Sequence, residues 1–283
     1  IWFNAPHAPF YRPRRLLDLY NGVKIPKPPT FDDDLKHPPY PGKTSAVIQA
    51  NNKIGTDNVG DDDPRTLEEV VKDYYAGVVD NDQNIGRVLH SLERTNRMDD
   101  TAIILNSDHG FFLGEWRMYD KRFMYEPSIR VPLVVRFPRL VKPGSVSQET
   151  VLNTDIAPTM LELAGLRVPS AIQGRSLMPL LNGAPPRNWR KDWLYEYFEY
   201  PGNEHVRPHR GVRTERYKLI HFHKTAGFPD LADEFELYDL QNDPGEIHNL
   251  HGQPGYQDLA HRLLNRIGQL RKETGDQTDD STI

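Results

Sequence analysis

The chain has 283 residues, a formal net charge of −5 and no cysteine. It is long enough to bury a substantial core, offers no basic footprint for nucleic acid or an anionic membrane surface, and supports neither disulfides nor thiol chemistry within this stretch. Its 24 prolines sit among plentiful aromatic residues, a mixture that reads as ordered loops rather than disorder, and no apolar run reaches the ~18 residues that span a bilayer.

In chain order, residues 1–4 read as a strand and Ala5-Pro6-His7 as its exit. Proline on either side of a loop histidine fixes the backbone and so places the ring. That leaves His7 either a functional histidine or an ordinary loop one. Residues 12–20 suggest a short helix, and residues 23–64 form a long connection poor in periodicity. Within it, Asp32-Asp33-Asp34 and Asp61-Asp62-Asp63 read as solvated turns and a helix cap, because no regular alternation of ligands appears. Pro64 suits the first turn of a long helix. Leu67, Val70, Val71, Tyr74, Val78, Ile85, Leu89 and Leu92 recur at three- and four-residue steps and predict its buried face.

Residues 101–105 are apolar and β-branched and predict a strand buried on both faces. It ends at Asn106-Ser107-Asp108-His109-Gly110. Ligands of open α/β sheets sit beyond the carboxyl ends of strands, where Asp108 and His109 would emerge. A carboxylate and an imidazole side by side can ligate one divalent cation, and Gly110 allows a sharp turn. The alternative is a plain strand-to-turn exit with a capping aspartate. Lys121 follows among Trp116, Tyr119, Phe123 and Tyr125, where a cation can hold an anionic group against a metal; a solvated surface lysine is the other reading.

Residues 131–137 predict a further strand. Asp155 is expected to cap a helix that runs to Leu163 and stops at Gly165, a structural role. After Pro185-Pro186 the pattern changes to strands at 193–200, 211–222 and 234–240 and an amphipathic helix at 256–270, a smaller α+β unit with an antiparallel sheet. Between its first two strands the loop carrying His205, Arg207 and His209 offers polar groups of the kind that read a sugar, with a plain surface loop as the alternative. His221 and His223 alternate on a strand and are expected to face solvent, without zinc spacing.

Several of these segments together resemble the type I sulfatases, formylglycine-dependent sulfate ester hydrolases of the alkaline phosphatase superfamily. The similarity rests on Pro6-His7-Ala8-Pro9, Asp108-His109, Lys121 with Tyr125-Glu126-Pro127-Ser128, Asn153-Thr154-Asp155, Gly174-Arg175-Ser176-Leu177, Arg213-Thr214-Glu215-Arg216-Tyr217-Lys218 and Glu236-Leu237-Tyr238-Asp239-Leu240. The resemblance implies an α/β fold with an alkaline-phosphatase-like mixed sheet sandwiched by helices, present in part over residues 1–184, and a C-terminal α+β subdomain over 185–283 with a terminal helix. It further implies calcium held by Asp108 and His109, sulfate contacted by His7 and Lys121, and protonation of the leaving oxygen by His7. The implied substrate is a sulfated glycan, such as 6-sulfated N-acetylglucosamine or a glycosaminoglycan fragment, bordered by His205, Arg207 and His209. No nucleic acid or membrane partner is expected.

One departure is large. The family's nucleophile arises from Cys or Ser in Cys/Ser-x-Pro-x-Arg, and the chain holds no such motif. The sequence therefore reads as the C-terminal portion of a sulfatase, with the N-terminal segment of the same domain as its expected partner and poor solubility expected without it. Two other readings stand beside this one: a phosphodiesterase or phosphonate hydrolase of the same superfamily, and a non-catalytic glycan-binding module.

Overall fold

The structure, a computed structural model, describes all residues except 51, 55–64, 201, 203, 225–229, 231 and 279–283. In chain order its helices are α1 (Ser45–Ile48), α2 (Leu67–Arg94), α3 (Glu126–Ile129), α4 (Ile156–Leu163), α5 (Met178–Leu181) and α6 (Gln257–Thr274). Its strands are β1 (Ile103–Asn106), β2 (Phe112–Leu113), β3 (Tyr119–Asp120), β4 (Leu133–Arg136), β5 (Asp192–Tyr197), β6 (His209–Thr214), β7 (Tyr217–Phe222) and β8 (Glu234–Asp239). Backbone proximity divides the chain into one unit of Ile1–Asp33, Asn52–Thr101 and Phe111–Asp120, and another of Asp34–Asn51, Ala102–Gly110 and Lys121–Ile283. This division does not fall at the expected 184/185 boundary. Among the described residues no helix is long and apolar enough to cross a membrane.

The first unit is organised by α2. Thr66 opens it with a capping box: its hydroxyl accepts from the Glu69 amide while the Glu69 carboxylate accepts from the Thr66 amide, satisfying two donors that a helix start leaves open. Asp63 and Pro64, expected to begin this helix, lie outside the described residues. The buried face is Val70, Val71, Ala76 and Gly77, whereas Val78 is 44% exposed. The face turns towards the small residues because Pro6 packs there; a Cβ on Gly77 would lie 3.3 Å from the Pro6 ring. Val70 joins Phe10, Phe31 and Ile54 in a core flanked by Leu67, Tyr74, Phe111 and Tyr119.

Residues 1–4 are not a strand: none of them pairs with a described neighbour, and Ile1 and Trp2 are 92% and 90% exposed. In place of the helix expected over 12–20 there is one 3₁₀ turn at Arg14–Leu16. Arg12 and Arg65 both grip Asp73 at 2.8 Å, tying this segment to α2. β2 and β3 form a two-stranded ribbon.

In the second unit β1 and β4 pair antiparallel, from Ile103 opposite Arg136 to Asn106 opposite Leu133. β1 is only half-buried, and Leu105 is 42% exposed, so the expectation of burial on both faces is corrected. The C-terminal residues form the antiparallel sheet β5-β6-β7-β8. The run expected as one strand over 211–222 is a hairpin, broken at Glu215-Arg216, where the Thr214 hydroxyl accepts from the Arg216 and Tyr217 amides. Neither turn residue is a glycine or asparagine, so the break carried no local signature.

Strand periodicity puts Val212, Leu219 and Leu237 on one face, where α6 lays Ala260, Leu263, Ile267 and Leu270 against them. Each such large apolar side chain contributes about 1.5–3 kcal/mol by leaving water. The opposite face is polar inside. Tyr125 and Tyr238 each donate to Glu236 Oε2, at 2.5 and 2.7 Å. The Thr44 amide and hydroxyl donate to Glu236 Oε1, and Lys218 bridges Glu126 and Glu246 at 2.9 and 2.6 Å. Lys43 donates to Tyr238 and to the Glu246 carbonyl. Burial lowers its pKa to about 8, opposed by Glu236 and Glu246, while burial first of all raises that of Glu246. These groups fasten Phe123–Glu126, just beyond Lys121, to the sheet.

Candidate active site

The exit of β1 is held by three sets of contacts within the second unit. First, the Gly110 amide donates to the Ser128 carbonyl at 2.7 Å, and a Cβ on Gly110 would lie 2.1 Å from the Pro127 carbonyl oxygen. Only glycine permits that approach. Second, the Ser107 hydroxyl donates to the His109 carbonyl at 2.9 Å, and the His109 amide donates to Asp108 Oδ1 at 3.0 Å. Third, Asn153 reaches back from the turn before α4. Its Nδ2 donates to the Asp108 carbonyl at 2.6 Å and the Ser107 carbonyl at 3.2 Å, and its Oδ1 accepts from Asn106 at 3.0 Å.

The result is a carboxylate and an imidazole with their outer atoms together. Asp108 Oδ2 and His109 Nε2 are 3.4 Å apart, with side chains 72% and 34% exposed. His109 Nδ1 lies 2.8 Å from the Gly110 carbonyl. A carbonyl only accepts, so Nδ1 is the donor in this contact and Nε2 is the ring atom left facing the Asp108 oxygen. Metal-ligating histidines are oriented in this way, with the other ring nitrogen donating to a carbonyl. The donor pair therefore fits a divalent cation.

Asn153 is held in turn by a structural hub. Asp155 is fully buried and accepts from the Leu152 amide at 2.8 Å, the Arg175 amide at 2.7 Å and both terminal nitrogens of Arg190. It is structural, as expected, though as an anchor of the preceding turn rather than as a side-chain cap of α4. Gly174 completes the hub: a Cβ there would lie 1.9 Å from the Thr154 carbonyl oxygen. Nothing local in the sequence marks Asn153, because its reach to Asp108 depends on long-range packing.

Lys121 is half-buried and belongs to the second unit. Its neighbours Asp120 and Arg122 hold positive φ, 72° and 89°, a conformation that costs non-glycine residues about 1–3 kcal/mol and persists where surroundings impose it. Arg122 is held by Glu204 at 3.1 Å, and its carbonyl accepts from the Tyr195 hydroxyl at 2.5 Å. His7 belongs to the first unit and is exposed. Its Nδ1 lies 2.8 Å from the Ala8 carbonyl, and the Ala5 carbonyl accepts from Asn81 of α2.

The loop expected to border a sugar divides. His205 is exposed, at φ 50°. Arg207 and His209 are fully buried, which corrects the expectation that they offer polar groups at the surface. Arg207 donates to the His223 and Ala232 carbonyls at 2.6 and 2.5 Å and pairs with Glu234 at 2.7 Å. His209 lies among Phe123, Tyr195, Tyr197 and Phe222, with ring centroids 5.0–5.7 Å away. Burial pushes its pKa down to about 4, opposed by a hydrogen bond to the Arg207 carbonyl. His221 and His223 do not face solvent either: His223 is 2% exposed, and the His221 side chain 17%.

The family model described as sulfatase matches residues 1–166, and the model described as N-sulphoglucosamine sulphohydrolase, C-terminal, matches residues 114–273. The chain is 43% identical over 215 residues to an N-acetylglucosamine-6-O-sulfatase of Bacteroides thetaiotaomicron, covering 75% of this chain and 38% of that protein. Among solved structures it superposes, at a TM-score of 0.88 and 32% identity, on a protein bound to its substrate D-glucosamine-2-N,6-O-disulfate, covering 98% of this chain and 65% of the other. A phosphonate monoester hydrolase of Silicibacter pomeroyi superposes at a TM-score of 0.66 and 28% identity, covering 75% and 42%. The chain thus spans less than two thirds of the length of these relatives.

Proposed function

The chain belongs to the sulfatase family, with the alkaline-phosphatase-like fold of its structural relatives, and on that premise we propose that the protein carrying it hydrolyses sulfate esters of an amino sugar, 6-sulfated glucosamine first among them. The observation that supports this most directly is the 3.4 Å approach of Asp108 Oδ2 and His109 Nε2 at the exit of β1, where the ring's Nδ1 proton is committed to the Gly110 carbonyl. Calcium is the ion we assign to this pair. When bound it supplies Lewis acidity and a template for the sulfate oxygens.

The chain's own residues do the rest by positioning and charge. Lys121 offsets the anionic charge of the sulfate, a preorganised electrostatic role. His7 protonates the departing sugar oxygen, with Nδ1 engaged by Ala8 and Nε2 as the exchanging nitrogen; general-acid catalysis of this kind contributes roughly 10²- to 10⁴-fold. The nucleophile is not among these residues in the family's Cys/Ser-x-Pro-x-Arg form. His205, exposed where Arg207 and His209 are not, is the residue of its loop we assign to the sugar.

The test is sulfate release from 6-sulfated N-acetylglucosamine by the protein carrying this chain, as wild type, Asp108→Asn and His7→Ala, with calcium and with chelator. Loss of turnover in Asp108→Asn and on chelation is expected, with a folded His7→Ala protein that binds sugar and turns it over slowly. Turnover of a phosphonate monoester or phosphodiester without sulfate release would establish the phosphonate hydrolase reading instead. Sugar binding without turnover of either ester would establish a binding module.

A further inference from the structure

The sheet of the second unit carries a group of donors that the sulfatase reading does not use. His221 closes β7, His223 follows it by two residues, and Asp233 directly precedes β8. β7 and β8 pair with His221 opposite Phe235 and Phe222 opposite Glu234, so one further step brings Asp233 alongside His223. Residues two apart on a strand share a face. Leu219, His221 and His223 therefore form one row, and Asp233, Phe235 and Leu237 the row beside it. The donors project together as a consequence of this register.

Their geometry is close to that of a metal site. Nitrogen or carboxylate oxygen atoms of all three residues lie within 4.8 Å of one another. His221 Nε2 and Asp233 Oδ1 are 3.3 Å apart. A tetrahedral ion with bonds of about 2.0–2.2 Å separates its ligand atoms by roughly 3.3–3.6 Å, so the His221–Asp233 pair already stands at the spacing, and His223, within 4.8 Å of both, has at most about 1.5 Å to close. The rings are braced rather than loose: His221 stacks on Phe235 at 4.5 Å, Phe235 on His251 at 4.9 Å, and the two histidine rings lie 4.1 Å apart. Arg207 fixes the backbone by donating to the His223 carbonyl at 2.6 Å. The Lys224 amide donates to Asp233 Oδ1 at 2.7 Å, which stabilises the ionised carboxylate. Arg210, the cross-strand neighbour of His221, is engaged by Glu196 at 3.2 Å and Asp276 at 3.7 Å.

From this placement we infer that His221, His223 and Asp233 form a binding site for a borderline transition-metal ion, zinc in the first instance, separate from the Asp108–His109 pair. Two imidazoles and one carboxylate suit zinc and its neighbours and are a poor match for calcium or magnesium, which take mainly oxygen. Asp233 is half exposed, so a fourth position is left for water. Bound there, the ion crosslinks the end of β7 to the start of β8.

The experiment takes the chelator-stripped protein, adds zinc chloride alone, removes excess metal by gel filtration and counts bound zinc. Wild type and Asp108→Asn/His109→Ala are expected to retain one zinc per chain at these residues. His221→Gln and Asp233→Asn are expected to bind it more than about 100-fold more weakly, since even residues outside the ligand set change affinity by roughly 10- to 100-fold. Zinc should also raise the melting temperature of wild type and not of those variants. Full zinc retention in His221→Gln and Asp233→Asn, or no zinc bound by wild type, would overturn the site. If the variants lose their circular dichroism signal, cobalt(II) added to wild type decides: intense tetrahedral visible bands support the site, and a spectrum like that of aqueous cobalt removes it.

Discussion

The Gly110 amide and the Ser128 carbonyl meet at 2.7 Å, and this contact sets the chain running from Asp108-His109 directly on the segment that follows Lys121. A Cβ at Gly110 would be 2.1 Å from the Pro127 carbonyl oxygen, a distance no rotamer change relieves because both partners are backbone. Gly110→Ala is expected to cost about 2–4 kcal/mol, among the larger effects of a single substitution. Because relief must come from movement of the β1 exit, it should also weaken metal binding. A denaturant midpoint within error of wild type would show that the two backbones separate without cost.

Asn153 tests positioning apart from ligation. It touches no reacting group in the proposed chemistry, yet donates to the carbonyls of Ser107 and Asp108 and accepts from the Asn106 side-chain Nδ2. Asn153→Ala removes these bonds at a cost of about 1–3 kcal/mol in total. We expect calcium affinity to fall by roughly 10- to 100-fold, the range found for residues that orient metal ligands, with enough added calcium restoring turnover. Lost turnover at saturating calcium would place Asn153 in the chemistry itself.

Beneath Asn153, the Asp155–Arg190 pair is buried on both sides, with side chains 0% and 8% exposed. Removing one partner of a buried pair strands the other charge, an effect of about 3–5 kcal/mol. Asp155→Ala should therefore unfold far more readily than Asp155→Asn, which keeps an acceptor for the Leu152 or Arg175 amide. Equal melting temperatures for the two variants would argue against the hub.

What the sequence disclosed and what it withheld divide along sequence distance. The exit of β1, Gly110 and the stripe of α6 were legible because each depends on neighbours in the chain: an apolar run ending in polar residues, a turn, a 3.6-residue period. Val78, on the face that periodicity predicts to be buried, is exposed, because α2 approaches Pro6, far away in sequence, through Gly77, which serves closeness rather than hydrophobicity. Arg207 and His209 read as surface groups by residue type, since their enclosure by Glu234 and the aromatic residues comes from strand pairing. Similarly, His221 and His223 lack zinc spacing in sequence because Asp233 arrives beside them only through the β7–β8 register.

The burial of His209 has a consequence for acid stability. Its pKa is about 4 in the folded chain against about 6.5 when unfolded. Between these values the unfolded chain binds a proton that the folded chain refuses, so stability falls with falling pH. The contribution is whole above pH 6.5 and is lost progressively down to about pH 4, an upper bound of roughly 3.4 kcal/mol at 1.36 kcal/mol per unit. His209→Phe keeps a ring among Phe123, Tyr195 and Phe222 but has nothing to protonate. It gives up the bond to the Arg207 carbonyl, about 1 kcal/mol, so it should be the less stable protein at pH 7.5. The gap should close and reverse towards pH 4, because carboxylates titrating in the same range are common to both proteins and cancel in the difference. Parallel urea midpoints for the two proteins from pH 7.5 to 4 would mean that His209 gains its proton without unfolding, and that the aromatic enclosure opens to admit it.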